Sequence, residues 1–301
     1  MTLTGTTRRD ARAAQTRWRM PWTSALLGLV AFVGVLVMLY PTTAAWVSQY
    51  YQSQLIRTVE SEIRTAPSTE IQQALADARS YNDALVSGAL VGADSRVPTS
   101  SGTSSSGLDY QNLLRADAAG AMGRLRIPAI SVDLPIYHGT TDDVLAKGVG
   151  HLEGTSLPIG GTSQHSVLTA HRGLASATLF DNLDQLVQGD TFTIEIFGEV
   201  LTYRVRDTQI VEPEQTQSLY PVYGEDLVTL VTCTPLGINT HRILVTGERV
   251  TPTPPEDVAG AGQSPDIPGF PWWIVADAAA LAALIGLIWI AGRPPRRVTH
   301  Q

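Results

Sequence analysis

Cys233 is the only cysteine in 301 residues, and it closes the run Thr229-Leu230-Val231-Thr232-Cys233. A lone cysteine cannot form an intrachain disulfide, so it is either a small buried apolar residue or a nucleophile. A thiol nucleophile serves acyl transfer, which needs a proton donor for the leaving amine and a cationic or N–H-lined site for the oxyanion. Six histidines are available as donors: His138, His151, His165, His171, His241 and His300. Alternation along a strand puts Leu227, Thr229, Val231 and Cys233 on one face, and Arg242, Leu244 and Thr246 on one face of the next run. Between them Thr234 to His241 contains Pro235, Gly237 and Asn239, which predicts a loop joining antiparallel strands. Cys233 and Arg242 then flank the same loop, where a guanidinium would favour thiolate and hold an oxyanion. The alternative for Arg242 is a surface arginine paired with an acid. His171 ends a strand at the turn Arg172-Gly173, but its spacing and parity do not separate it from His165. Thr232 and Thr234 flank the thiol and are candidate substrate-binding residues, although threonine is also an ordinary strand former. No group of acids and histidines has metal-ligand spacing and no glycine loop suits a phosphate, so no cofactor and no metal are expected.

The elements that must carry these residues are short. From 122 to 250 the chain is built of brief β-type runs: Arg124–Ile130, His165–Ala170, Thr191–Phe197, Leu201–Ile210, Leu227–Cys233 and Arg242–Glu248. About 130 residues of this texture predict one closed barrel or sandwich. Ahead of it Ile63, Ile71, Leu75, Ala78 and Leu85 recur near helical spacing, broken near Pro67, so residues 45–121 are read as a helical preface. That preface ends in a Ser, Gly and Thr-rich loop from Gly92 to Gly107. Residues 251–271 are rich in Pro and Gly and read as an extended tether.

Two apolar stretches flank this region, at 22–40 and 272–291; as helices of roughly 28 and 30 Å they can each cross a bilayer. Arginines at 8, 9, 12, 17 and 19 precede the first, and others at 293, 296 and 297 follow the second. The positive-inside bias assigns the tails 1–21 and 292–301 to the cytoplasm and the middle to the outside. The first stretch is longer than a signal-peptide core, which favours an uncleaved anchor. Asp277 lies near the outer edge of the second stretch, beside Trp272 and Trp273, where a charge costs less than at the centre. Residues 45–271 hold 13 basic against 26 acidic side chains, a net charge of −13 that argues against nucleic-acid binding. In an oxidising exterior a thiol with no structural use is exposed to loss, which strengthens the nucleophile reading of Cys233.

Thr229-Leu230-Val231-Thr232-Cys233 resembles the Thr-Leu-x-Thr-Cys signature of the sortases. Gly148 to Leu157, Thr169-Ala170-His171-Arg172-Gly173, Leu179-Phe180-Asp181-Asn182-Leu183 and Asn239-Thr240-His241-Arg242 resemble stretches of class C, pilin-polymerising sortases. The resemblance covers residues 122–250 closely, and the two-anchor layout and helical preface are similar to that class as well. It implies a mainly β fold, the eight-stranded sortase β-barrel, with Cys233 as nucleophile, His171 as general acid and Arg242 as oxyanion and substrate stabiliser. It also implies cleavage of a Leu-Pro-x-Thr-Gly-type sorting signal through a thioacyl intermediate, resolved by a pilin lysine amine. Partners would be pilin or surface-protein substrates, with cell-wall peptide as the alternative acceptor, and the location would be the cell membrane. A membrane-tethered β-domain that only binds surface partners is the non-enzymatic alternative, and the Ser-His-Gly-Cys signature of the L,D-transpeptidases is absent. One feature departs from the class: the Asp-Pro-aromatic lid motif is missing between residues 80 and 120, where Asp94-Ser95-Arg96 and Asp109-Tyr110 are the nearest fragments. The 92–107 loop occupies the place of such a lid.

Overall fold

The computed structural model describes residues 18–86, 103–104, 106–117, 120–265 and 268–293. The chain divides into two compact units, one of residues 1–40 with 270–301 and the other of residues 41–269.

The first unit contains the start of helix α1 (Trp22–Thr65) and all of α5 (Trp272–Ala291), both long and apolar enough to cross a membrane. Gly28 gives these two helices their close approach, because a Cβ there would fall 2.2 Å from Leu284 Cδ1. Beyond this contact the side chains of Leu26, Leu27, Val37 and Ile285 are exposed, as a lipid-facing surface requires.

Among its described residues the second unit holds the rest of α1, α2 (Ser68–Asp83) and ten strands. These are β1 (Leu85–Val86), β2 (Thr103–Ser104), β3 (Ala121–Ile127), β4 (Val132–His138), β5 (Val149–His151), β6 (Gln164–Thr169), β7 (Thr191–Ile196), β8 (Glu199–Val211), β9 (Asp226–Thr234) and β10 (His241–Arg249). Two short helices, α3 (Asp142–Leu145) and α4 (Pro255–Gly260), complete it. β1 pairs with β2, and the other eight strands close into a barrel in the order β10-β8-β7-β3-β4-β5-β6-β9. The mainly β, eight-stranded expectation therefore holds. Pairing is antiparallel except between β4 and β5 and between β6 and β9.

The barrel interior is filled by alternate residues of each strand, among them Leu125 and Ile127 from β3, Phe192 and Ile194 from β7, Val228 and Leu230 from β9, and Ile243 and Val245 from β10. Phe192 stacks on Tyr203 with centroids 5.5 Å apart. Gly247 lets that pair fit, since a Cβ there would lie 2.5 Å from Phe192 Cε1. From α2, Leu75, Ala78 and Tyr81 join the same core, so the helical preface is packed onto the barrel.

Several expectations are corrected in detail. Strand Arg124–Ile130 is shifted: β3 ends at Ile127 and Pro128–Ile130 is a 3-10 turn, because proline gives no N–H to a ladder. The anchor and the preface are one continuous helix through Pro41, with a break only near Pro67. Nor is the 251–269 segment an extended tether. It carries α4 and lies on the barrel, where Asp257 accepts from Thr202 Oγ1 at 2.6 Å and Gly262 N–H donates to Glu195 at 2.9 Å. Arg124 fastens this segment to the rest: its guanidinium makes two 2.7 Å bonds to Asp133, one to the Gln263 carbonyl at 2.7 Å and a further one to Glu60 of α1. A buried arginine requires this degree of satisfaction, since an unpaired guanidinium in the interior costs several kcal/mol, on the order of 3–5. Most of the Gly92–Gly107 loop lies outside the described residues.

Candidate active site

β9 lies between β6 and β10 in the barrel wall, so the ends of three neighbouring strands meet at Cys233. On one side Arg242 is the direct antiparallel partner of Cys233, Leu244 of Val231, and Thr246 of Thr229. The two predicted faces are therefore one face. It is the outer face of the barrel: Val231 and Leu244 pack with Leu152, Val167 and Leu219 in a cluster separate from the interior core. On the other side the parallel β6–β9 register runs Val167 to Thr229 and Thr169 to Val231. The Ala170 N–H donates to the Val231 carbonyl at 3.2 Å, and the register continued two residues past Thr169 would set His171 level with Cys233. Neighbouring strands are roughly 4.8 Å apart, so Cys233 and Arg242 stand side by side on one face, and the His171 turn lies at the end of the strand on the other side of β9.

Cys233 is 9% exposed and Arg242 3% exposed, whereas the His171 side chain is 20% exposed. The Arg242 Nη1 donates to the Asn239 and His241 carbonyls at 2.9 and 3.0 Å. Asn239 takes a left-handed backbone with φ of 61°, a conformation asparagine tolerates better than most residues, and this turns its carbonyl inward. The loop that joins the two strands thus fixes the guanidinium. Burial pushes the Cys233 thiol above its ordinary value, while Arg242 pulls it down. His171 is pushed below the ordinary histidine value by burial, and Asp142 opposes this. Asp142, at the start of α3, lies with its Oδ1 4.0 Å from His171 Nε2. Both shifts favour the uncharged forms, a neutral thiol and a neutral imidazole.

The remaining described histidines are committed elsewhere. His165 is buried beside Leu227, six residues along β9 from Cys233, with hydrogen bonds to the Tyr220 carbonyl at 3.0 Å and Thr229 Oγ1 at 2.8 Å. His151 is wholly buried, Tyr110 Oη lying 2.9 Å from its Nδ1 and the Ser156 carbonyl 2.9 Å from its Nε2. His138 lies against the Gly120 and Leu113 carbonyls, and His241 is bonded to Thr240. His300 lies outside the described residues. The tie between His165 and His171 is thus broken by the β6–β9 register, which no spacing in the sequence reveals.

Thr232 points to the opposite face from Cys233 and is 1% exposed; its hydroxyl donates to the Ala170 carbonyl at 2.8 Å. It ties β9 to the segment that delivers His171. Thr234 Oγ1 accepts from Arg172 Nη1 at 3.2 Å. Tyr110, in one of the two fragments nearest the missing lid motif, is buried with its hydroxyl bonded to His151 and Gly139, and Asp109 caps the turn before it. The other fragment, 94–96, lies outside the described residues. Sequence reasoning missed Asp142, for which an Asp-Asp pair opening a helix is an ordinary signal. Among the described residues no group of His, Cys, Asp and Glu is placed to hold a metal.

The family model described as a sortase domain matches residues 125–250. Sortase D of Bacillus subtilis is 33% identical over 134 residues, which span 44% of this chain and 65% of that protein, so the chain covers less than two thirds of this curated relative. Among solved structures, sortase C-1 from Actinomyces oris is 49% identical, with 60% of this chain and 98% of that one covered at a TM-score of 0.54. The pilus island 1 sortase C2 of Group B Streptococcus is 41% identical, with 62% and 99% covered and a TM-score of 0.54.

Proposed function

Because the chain belongs to the sortase family, we propose that it is a membrane-anchored cysteine transpeptidase that assembles pili, with Cys233, His171 and Arg242 as its catalytic residues. What supports this reading is the cross-strand pairing of Cys233 with Arg242 on one outer face of the barrel, with His171 two residues past the end of the adjacent strand β6. Cys233 gives its thiol proton to the His171 imidazole, and the resulting thiolate attacks the carbonyl carbon of the threonine in a Leu-Pro-x-Thr-Gly-type signal. The carbonyl oxygen gains negative charge, which the buried Arg242 guanidinium offsets. As the tetrahedral species collapses, the Thr–Gly C–N bond breaks and the His171 imidazolium gives its proton to the leaving glycine amine. A thioester remains on Cys233. A lysine amine of the next pilin attacks it, loses a proton to His171 and expels the thiolate, which leaves an isopeptide bond. The energy of the original amide is kept in the thioester, so no cofactor is required.

The pilin-joining form is favoured over attachment to cell-wall peptide by the 49% and 41% identity to class C enzymes, one of them from a pilus island. The two apolar helices and the arginines at both chain ends support an orientation with the termini in the cytoplasm and the barrel outside. The test is a competition: the protein is incubated with a Leu-Pro-x-Thr-Gly peptide and equal concentrations of a pilin-derived lysine peptide and a cell-wall-type stem peptide. Transfer mainly to the lysine side chain is expected. Exclusive transfer to the stem peptide would assign the chain to wall anchoring.

A further inference from the structure

His171 lies just beyond the last strand bond of β6, so the barrel alone does not fix it. Its neighbour Arg172 does. The Arg172 side chain is 9% exposed and reaches three acceptors in two separate parts of the chain, the 181–184 segment and the end of β9. Nε donates to the Asp181 carbonyl at 2.9 Å, Nη2 to the Asp184 carboxylate at 2.6 Å, and Nη1 to Thr234 Oγ1 at 3.2 Å, one residue past the nucleophile. The backbone on either side is held in the same way. Phe180 N–H donates to the His171 carbonyl at 3.1 Å, and Gly173 N–H to the Asp181 carboxylate at 2.6 Å. Gly173 has φ of 78°, and a Cβ there would meet Leu236 Cδ2 at 2.5 Å, so the turn packs directly under the β9–β10 loop.

We infer that Arg172 is a positioning residue that locks the His171 turn to the end of the nucleophile strand, so that the imidazole stays aligned with the amine that leaves Cys233. Thr234 is the receiving half of this lock rather than a substrate ligand. The planar guanidinium suits the task because it sends N–H groups in three fixed directions, which an ammonium on a flexible stem cannot do. An error of about 1 Å in the donor is enough to cost roughly 100-fold in rate. The inference rests on the reading of His171 as the proton donor.

The leaving group distinguishes positioning of a proton donor from general support of the strand. A peptide substrate expels an amine that must be protonated, whereas the 4-nitrophenyl ester of the same acyl group expels a phenolate that needs no proton. Acylation of full-length wild type, H171A, R172Q, R172K and T234V is measured with both. R172Q is expected to lose roughly 10- to 100-fold in kcat on the peptide, with KM changed less than about twofold, and less than about threefold on the ester. R172K is expected not to rescue the peptide rate. T234V, which removes one of the three bonds and keeps the side-chain shape, is expected to show the same peptide-selective loss on a smaller scale, about three- to tenfold. T234V decides the matter if R172Q does not fold. Equal losses on the two substrates, or no loss on the peptide while H171A is impaired, would overturn the positioning role. An H171A that cleaves the peptide at the wild-type rate would instead remove the proton-donor assignment itself.

Discussion

Replacing Arg242 by alanine separates two contributions that the geometry combines. Arg242 is the cross-strand partner of Cys233, almost fully buried, with one end of its guanidinium fixed by the Asn239 and His241 carbonyls. In the resting enzyme it opposes the effect of burial on the thiol. Arg242→Ala therefore raises the Cys233 pKa further, and the pH profile of alkylation by a neutral haloacetamide shifts to higher pH. In the proposed mechanism the same guanidinium faces developing negative charge during acylation. Loss of one preorganised donor at such a site costs about 2.7–4 kcal/mol, which corresponds to a rate loss of roughly 100- to 1000-fold. Arg242→Lys keeps the charge but not the fork, so it should retain most of the thiol acidity while recovering little of the acylation rate. Single-turnover acylation with a Leu-Pro-x-Thr-Gly peptide and alkylation over a pH series give the two readouts. A folded R242A protein that acylates within about threefold of wild type, with an unshifted alkylation profile, would refute the reasoning that a guanidinium on this rung acts on the sulfur and its substrate.

The pH dependence of acylation follows from the opposed shifts at the site. If the competent form is thiolate with imidazolium, the rate climbs until His171 titrates, is level while one proton moves between the groups, and falls once the thiol has titrated. Burial moves the first break below the ordinary histidine value and the second above the ordinary thiol value. Asp142→Asn removes the attraction that holds His171 up, so the acid break should move to still lower pH; a kcat/KM profile narrower than that of unperturbed groups would contradict this. Stability has its own acid limb. His151 is buried neutral, its pKa lowered from 6.5 to about 3 by burial, so the unfolded chain binds a proton that the folded chain excludes between those values. Stability is full above the unfolded value and declines by about 1.4 kcal/mol for each pH unit below it until the folded value is reached. Urea unfolding between pH 6 and 4 should show that slope in excess of H151Q, and equal slopes would show that the imidazole is not held neutral.

The sequence revealed most where local chemistry decides the outcome. Leu227–Cys233 and Arg242–Glu248 are strands by composition, and their parity correctly put Cys233 and Arg242 on one face because they flank a single loop. β4 was missed since Asp133 and Pro135 interrupt the apolar pattern, and Asp133 holds Arg124 of the preceding strand β3. β5 is only three residues long, with a glycine at its centre that a close approach to the Gly139 carbonyl demands. Neither signals a strand locally. The placement of 255–263 was equally hidden, because its partners are Arg124, Glu195 and Thr202, distant in sequence. His171 was singled out only by resemblance, and the physical reason is a parallel pairing of β6 with β9 across more than fifty intervening residues. Thr232 looked like a substrate contact from adjacency alone, yet alternation turns its hydroxyl to Ala170 on the other face.

The most direct test of the central claim is the intact mass of the full-length protein after incubation with a Leu-Pro-x-Thr-Gly peptide, with Cys233→Ala as control. The account predicts an added mass equal to the acyl fragment ending in threonine, located on Cys233, released by an added amine and absent from the control. No adduct, or one that persists in Cys233→Ala, would contradict it.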